Sequence, residues 1–159
     1  MMPTGNRALA AVAIAAAAGA IGAWALWPEP EPASLLRPGD PQVVAAGAKV
    51  YAAQCASCHG ADLQGEPDWQ TRDPDGLLPA PPHDETGHTW HHPDDLLFRI
   101  TKHGVAEAAN LEGYETRMPA YGGILSDGEI ISVLSYIKAQ WPAAIRQRHD
   151  RMNEQMKSQ

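Results

Sequence analysis

Cys55-Ala56-Ser57-Cys58-His59 places the chain's two cysteines three positions apart, with an imidazole directly behind the second. That spacing lets two thiols add to the two vinyl groups of one haem while the adjacent histidine reaches its iron, and it predicts one covalently bound c-type haem. Three other chemistries use such a pair. A thioredoxin-like dithiol belongs with a βαβ pattern, which this sequence lacks. A structural zinc site needs four ligands, and there is no second cysteine pair. A disulfide across so short a loop would be strained and would constrain the unfolded chain little. With no further cysteine, the pair cannot join distant parts of a disulfide framework.

Upstream of the motif, Asp40-Pro41 has the form of a helix start, an N-cap carboxylate followed by proline at the first helical position. Val44, Ala48 and Tyr51 recur at helical spacing as far as Cys55. Downstream, residues 60 to 92 hold five prolines and read as irregular loop. A second helix is expected from about Pro93 to Lys102, with Asp94 and Asp95 in its first turn, Leu97, Phe98 and Ile100 as apolar positions and Gly104 as its stop. A third starts at Ser126, where Ser126 and Glu129 form a capping box. Ile130, Val133, Leu134, Ile137 and Trp141 line one face of it before Pro142 ends it. No alternating strand pattern or internal repeat stands out. The fold class is therefore all-α, a small domain of three or more short helices over residues 41 to 142.

A second axial ligand should lie far downstream, and Arg117-Met118-Pro119-Ala120 supplies a thioether 60 residues after Cys58. His83, His88, His91, His92 and His103 lie between the two and compete for the same position; a pair of imidazoles would give a lower potential than Met with His. At this point the sequence resembles the monohaem class I cytochrome c family. The resemblance covers about residues 41 to 141. It runs through Gly47-Ala48-Lys49-Val50-Tyr51, the haem motif with Gly60, Met118-Pro119, and Leu125-Ser126-Asp127-Gly128-Glu129-Ile130 entering the last helix. It implies helices around one haem, the first and last crossing near Gly47, Val50, Tyr51 and Leu134, with Gly47 permitting the close approach. It also implies that Cys55 and Cys58 bind haem c and that His59 and Met118 are the iron's axial ligands. Such an iron has no open position, which points to an electron carrier rather than an enzyme. A second reading is a metal-handling or sensing module in which His83, His88, His91 and His92, clustered around Trp90, bind copper. The plainer reading of that cluster is a polar loop over the haem edge.

Residues 8 to 27 form a 20-residue run without a charge, long enough as a helix to cross a bilayer core of about 30 Å. Arg7 is the only charge before it, which predicts the start of the chain on the cytoplasmic side and the haem domain on the outer face, in the periplasm. A cleaved signal peptide competes with a retained anchor: the run is weakly hydrophobic, with 11 alanines, and Ala23-Trp24-Ala25 has the form of a cleavage site. Trp24 and Trp27 suit an interfacial belt and favour the anchor. Residues 28 to 40 follow as a Pro/Glu-rich linker, Pro28-Glu29-Pro30-Glu31-Pro32 favouring an extended stalk. Residues 143 to 159 are a tail, either solvated or a packed helix with Ile145, Met152 and Met156 as its stripe.

The chain's formal charge is −7, and residues 28 to 142 alone carry −10, which makes a nucleic-acid partner unlikely to bind. The expected partners are redox proteins at the membrane: a quinol-oxidising complex and a terminal oxidase, or a dehydrogenase of which this chain is a subunit.

Overall fold

A computed structural model describes residues 34–158. The expected anchor and signal, and the linker as far as residue 33, lie outside the described residues. Among the described residues there are six α-helices and no strand, and no helix is long and apolar enough to cross a membrane.

Helix α1 (Pro41–Gln54) starts on Asp40, whose carboxylate accepts from the Gln42 and Val43 N–H groups, with Pro41 in the first turn. Cys55 caps it by donating to the Tyr51 carbonyl, and the haem motif continues almost without a break as the single turn α2 (Ala56–His59). A short 3-10 turn, η1 (Thr89–His91), precedes α3 (Asp94–His103), which Gly104 ends at φ +89°. The short α4 (Val105–Ala108) follows, then α5 (Asp127–Gln140), opened by the Ser126–Glu129 capping box in both directions.

The core lies where α1 crosses α5. Tyr51, Ile130, Val133, Leu134, Ile137 and Trp141 are buried there, with Leu97 of α3 against them. Gly47 makes the crossing possible: a Cβ at this position would stand 2.0 Å from the Ser132 carbonyl oxygen and 2.8 Å from the Tyr136 Cβ. Replacing that hydrogen by any side chain pushes the two helices apart.

Two segments differ from expectation. The last is a packed helix, α6 (Ala143–Lys157), and only part of the expected stripe packs, Ile145 and Met152 being half-buried. Met156 is exposed, and the inward positions are Ile145 and His149, the latter fully buried, with Asn153 one turn on. His149 Nε2 lies 2.8 Å from the His92 carbonyl, and Asn153 spans its own helix and Asp94. The second difference is at the other end. The described part of the linker is no free stalk, since Leu36 is buried, Ser34 Oγ donates to Asp94 and the Arg37 N–H donates to Ser135 Oγ. Among the described residues, packing on the domain therefore reaches upstream of residue 41 as far as Ser34.

Asp94 is where these pieces meet. Besides Ser34, its carboxylate accepts from the Leu36 N–H and from Asn153, and it stands 3.6 Å from the buried Lys138 ammonium. Lys138 also reaches Asp150 of α6 at 2.6 Å. A buried charge is tolerated only when paired, and here the pairing joins four segments of the chain.

Candidate functional site

The motif's helical turn sets its three side chains at different depths. His59 is buried, Cys55 half-buried and Cys58 exposed, and both thiols are free. Burial pushes the Cys55 thiol up to about 11, with the neighbouring Cys58 adding to the shift. The His59 Nδ1 meets the Pro81 carbonyl at 2.8 Å. A carbonyl only accepts, so Nδ1 carries the proton and the lone pair is left on Nε2. Burial lowers the His59 pKa more than the Pro81 bond raises it, so the ring is neutral, the form that binds a metal. Tyr51, inside the α1–α5 crossing, donates from its hydroxyl to the Gly60 carbonyl at 2.8 Å and so ties the end of the motif to the core.

Met118 is half-buried against the core, on a loop held from three sides. Arg117 pairs with both Asp73 and Asp75 in the loop that follows the motif. Tyr121 donates from its hydroxyl to the Gln54 carbonyl beside Cys55, and its N–H donates to Thr101 of α3. The Gly122 N–H donates to the Lys102 carbonyl, where a Cβ would come within 2.9 Å. The thioether's loop thus closes onto the end of α1, the end of α3 and the 73–77 turn. Asp73 is itself fixed by accepting from the Leu77 and Asp75 N–H groups.

The histidines are dispersed among separate ring contacts. His83 stacks on His59, centroids 4.0 Å apart and planes 23° from parallel. The two rings lie face to face, so they do not oppose each other across a gap. His88 lies parallel to Trp69 and edge-on to His92, His91 stacks on Trp90, and His103 faces Glu107 at 3.6 Å. Among the described residues no three His, Cys, Asp or Glu side chains come together in a group that could hold a metal ion, so the copper reading of residues 83–92 finds no assembled site. The rings are committed to stacking, which aims their nitrogens in different directions.

Two features fit a haem. The donor set is two free thiols, a neutral imidazole with a free lone pair and a thioether on a loop closing toward them. The second is Trp90, whose Nε1 is buried and meets no acceptor within the protein. A buried donor left unpaired costs about 1–3 kcal/mol, so an acceptor supplied by a bound group is expected there; haem carries two carboxylates. Arg148 of α6 lies over the same indole, 5.1 Å from its centre.

The sequence offers four candidate donors but not the residues that hold them. Pro81 acts through a backbone carbonyl, which leaves no side-chain signature. Tyr121, Arg117 and Asp73 act across long sequence separations. Only the density of imidazoles before α3 hinted at His83.

The family model described as Cytochrome c matches residues 44–141, which spans α1 to the end of α5 and leaves α6 outside. No curated protein and no solved structure matches the chain.

Proposed function

We propose, from the premise that this chain belongs to the cytochrome c family and carries covalent haem c, that it is an electron carrier whose iron is held by His59 and Met118. Cys55 and Cys58 would hold the haem as thioethers. Bound there, the haem supplies an iron that exchanges one electron between its ferrous and ferric states.

The chain's own residues do the rest. The Pro81 carbonyl fixes the tautomer and raises the basicity of the His59 ring, which strengthens it as a ligand. A soft thioether from Met118 favours the ferrous iron and raises the potential, and burial opposes the net charge of the ferric form. His59 and Met118 would together leave no position on the iron for oxygen or peroxide. Electron transfer itself needs no acid, base or nucleophile. The unpartnered Trp90 N–H would be available as a buried donor to a haem carboxylate.

The observation that carries the reading is the buried, neutral His59, directed by Pro81 and set directly behind the two free thiols. The test is the weak absorption band at the red edge of the visible spectrum that thioether ligation gives ferric haem. Met118→Ala should abolish it and open the iron to added cyanide or imidazole. A band that survives the substitution would assign the distal position to another group. Covalent attachment is checked separately, since haem should stay with the denatured chain through acid-acetone extraction.

The setting belongs to the same proposal. Residues 8–27 hold the domain on the outer face of the cytoplasmic membrane, in the periplasm; the length of the uncharged run, Arg7 before it and its two tryptophans support this. There the carrier takes electrons from a quinol-oxidising complex to a terminal oxidase, or serves a dehydrogenase as a subunit. A mature N-terminus at Leu26 would replace the anchor by a removed signal.

A further inference from the structure

The imidazole of His83 is among the most firmly held side chains near the motif, and no step of electron transfer calls for it. The His83 backbone N–H donates to the Leu63 carbonyl at 2.7 Å, and the His83 backbone carbonyl accepts from the Trp141 indole at 2.7 Å. Its ring Nδ1 meets the hydroxyl of the buried Thr89 at 2.8 Å. The Tyr51 ring stands nearly perpendicular to it at 6.4 Å. These anchors come from the loop after the motif, the end of α5, η1 and α1, so the ring is fixed both in place and in plane. The face it presents is the one lying flat on His59.

We infer that His83 is a positioning residue for the proximal ligand, its ring setting the plane in which the His59 imidazole meets the iron and shielding that face from water. The inference rests on the reading of His59 as an iron ligand. One hydrogen bond to Pro81 leaves the His59 ring free to turn about the line of that bond. A flat partner on its face removes that freedom, so the bond and the stack together determine the orientation. The orientation of an axial imidazole sets how the iron's orbitals split and how unpaired spin spreads over the haem. A polar ring suits the task better than an aliphatic one, because its edge can be tied to Thr89 and cannot spin.

The test compares the wild-type holoprotein with His83→Ala, His83→Phe and Thr89→Val. It reads the proton shifts of the ferric haem methyl groups, the electron-spin g values, and the ratio of reduced to oxidised protein in a fixed redox buffer. His83→Ala should keep its haem but rearrange the methyl shifts, and its reduced fraction should fall several-fold as water reaches His59 and stabilises the ferric charge. His83→Phe, which keeps a flat face, should recover most of the wild-type pattern. Thr89→Val, which leaves the ring but frees its edge, should move the shifts in the same direction as alanine and by less. If His83→Ala does not take up haem, the phenylalanine and Thr89→Val variants decide on the same criteria. Shifts and redox ratio unchanged throughout the series, or a phenylalanine variant as disturbed as alanine, would overturn the role. A wild-type protein that releases its haem on denaturation would instead overturn the reading of the site itself.

Discussion

Gly47 has no room for one more carbon. Its Cβ would overlap the Ser132 carbonyl, which is backbone and cannot swing aside as a side chain can. Gly47→Ala should therefore cost about 1–3 kcal/mol, the range for overpacking a close contact, despite alanine's better helix propensity. The measurement is the denaturant midpoint, and an unchanged or raised midpoint would contradict the crossing described. Arg117 poses the opposite case. Its side chain is half exposed, and exposed ion pairs contribute little to global stability. Its partners sit on a different loop, however, and Met118 is the next residue. Arg117→Gln should leave the unfolding midpoint nearly unchanged while raising the affinity of the ferric protein for added imidazole, measured by spectroscopic titration of the haem. Equal affinity in the two proteins would show that Tyr121 and Gly122 hold the loop without help.

Helix α6 lies beyond the family's matched region, yet it packs, and buried polar groups join Ile145 in that contact. Ending the chain at Pro142 would remove Asp150 from the buried Lys138, Asn153 from Asp94, and His149 from the His92 carbonyl. That truncation should cost at least about 2 kcal/mol, because a buried ammonium loses its nearest carboxylate. The denaturant midpoint and the fluorescence of Trp90 and Trp141 would report it. The same packing predicts acid lability. Burial lowers the His149 pKa, Lys138 of α5 lowers it further, and Asp94, Asp150 and the His92 carbonyl only partly offset this. A folded pKa below the unfolded value of 6.5 means the fold favours the neutral ring. The contribution is full above that value and is lost as pH falls below it toward the folded pKa. His149→Gln, which keeps a donor and cannot titrate, should flatten the fall in thermal midpoint over that window. Helices with local signals were legible in the sequence: the Asp40-Pro41 start, the Ser126–Glu129 box and the Gly104 stop each depend on neighbours a few residues away. Helix α6 was only half legible, because apolar spacing points to Met156 while the face that packs is Ile145, His149 and Asn153. Cys55, Cys58, His59 and Met118 stand out as candidate donors because their chemistry is in the side chains. The Pro81 carbonyl, the His83 stack and the Arg117 fork are meetings of distant residues, and no local pattern encodes them.

Across the whole molecule, the acidic balance predicts how it meets a partner. Residues 28–142 carry −10 before haem carboxylates are counted, so the partner is expected to offer a basic patch. The bimolecular electron-transfer rate of a soluble form should fall with added salt, as screening shortens the reach of the charges to about 8 Å at physiological ionic strength. A rate that rises with salt would mean the acidic surface faces away from the contact. Such a soluble form should retain Ser34, since its hydroxyl is a partner of Asp94. That last contact has a topological consequence. Ser34, the first described residue, and Asn153, near the end of α6, hydrogen-bond the same carboxylate, so the domain's entry and exit lie side by side. The two ends are joinable: a short Gly/Ser bridge from Ser158 back to Ser34, with a new opening at the exposed turn around Gly113, should give a circular permutant that folds and takes up haem. In the chain's natural order, a cargo fused after Ser158 would emerge on the side of the domain that carries Ser34.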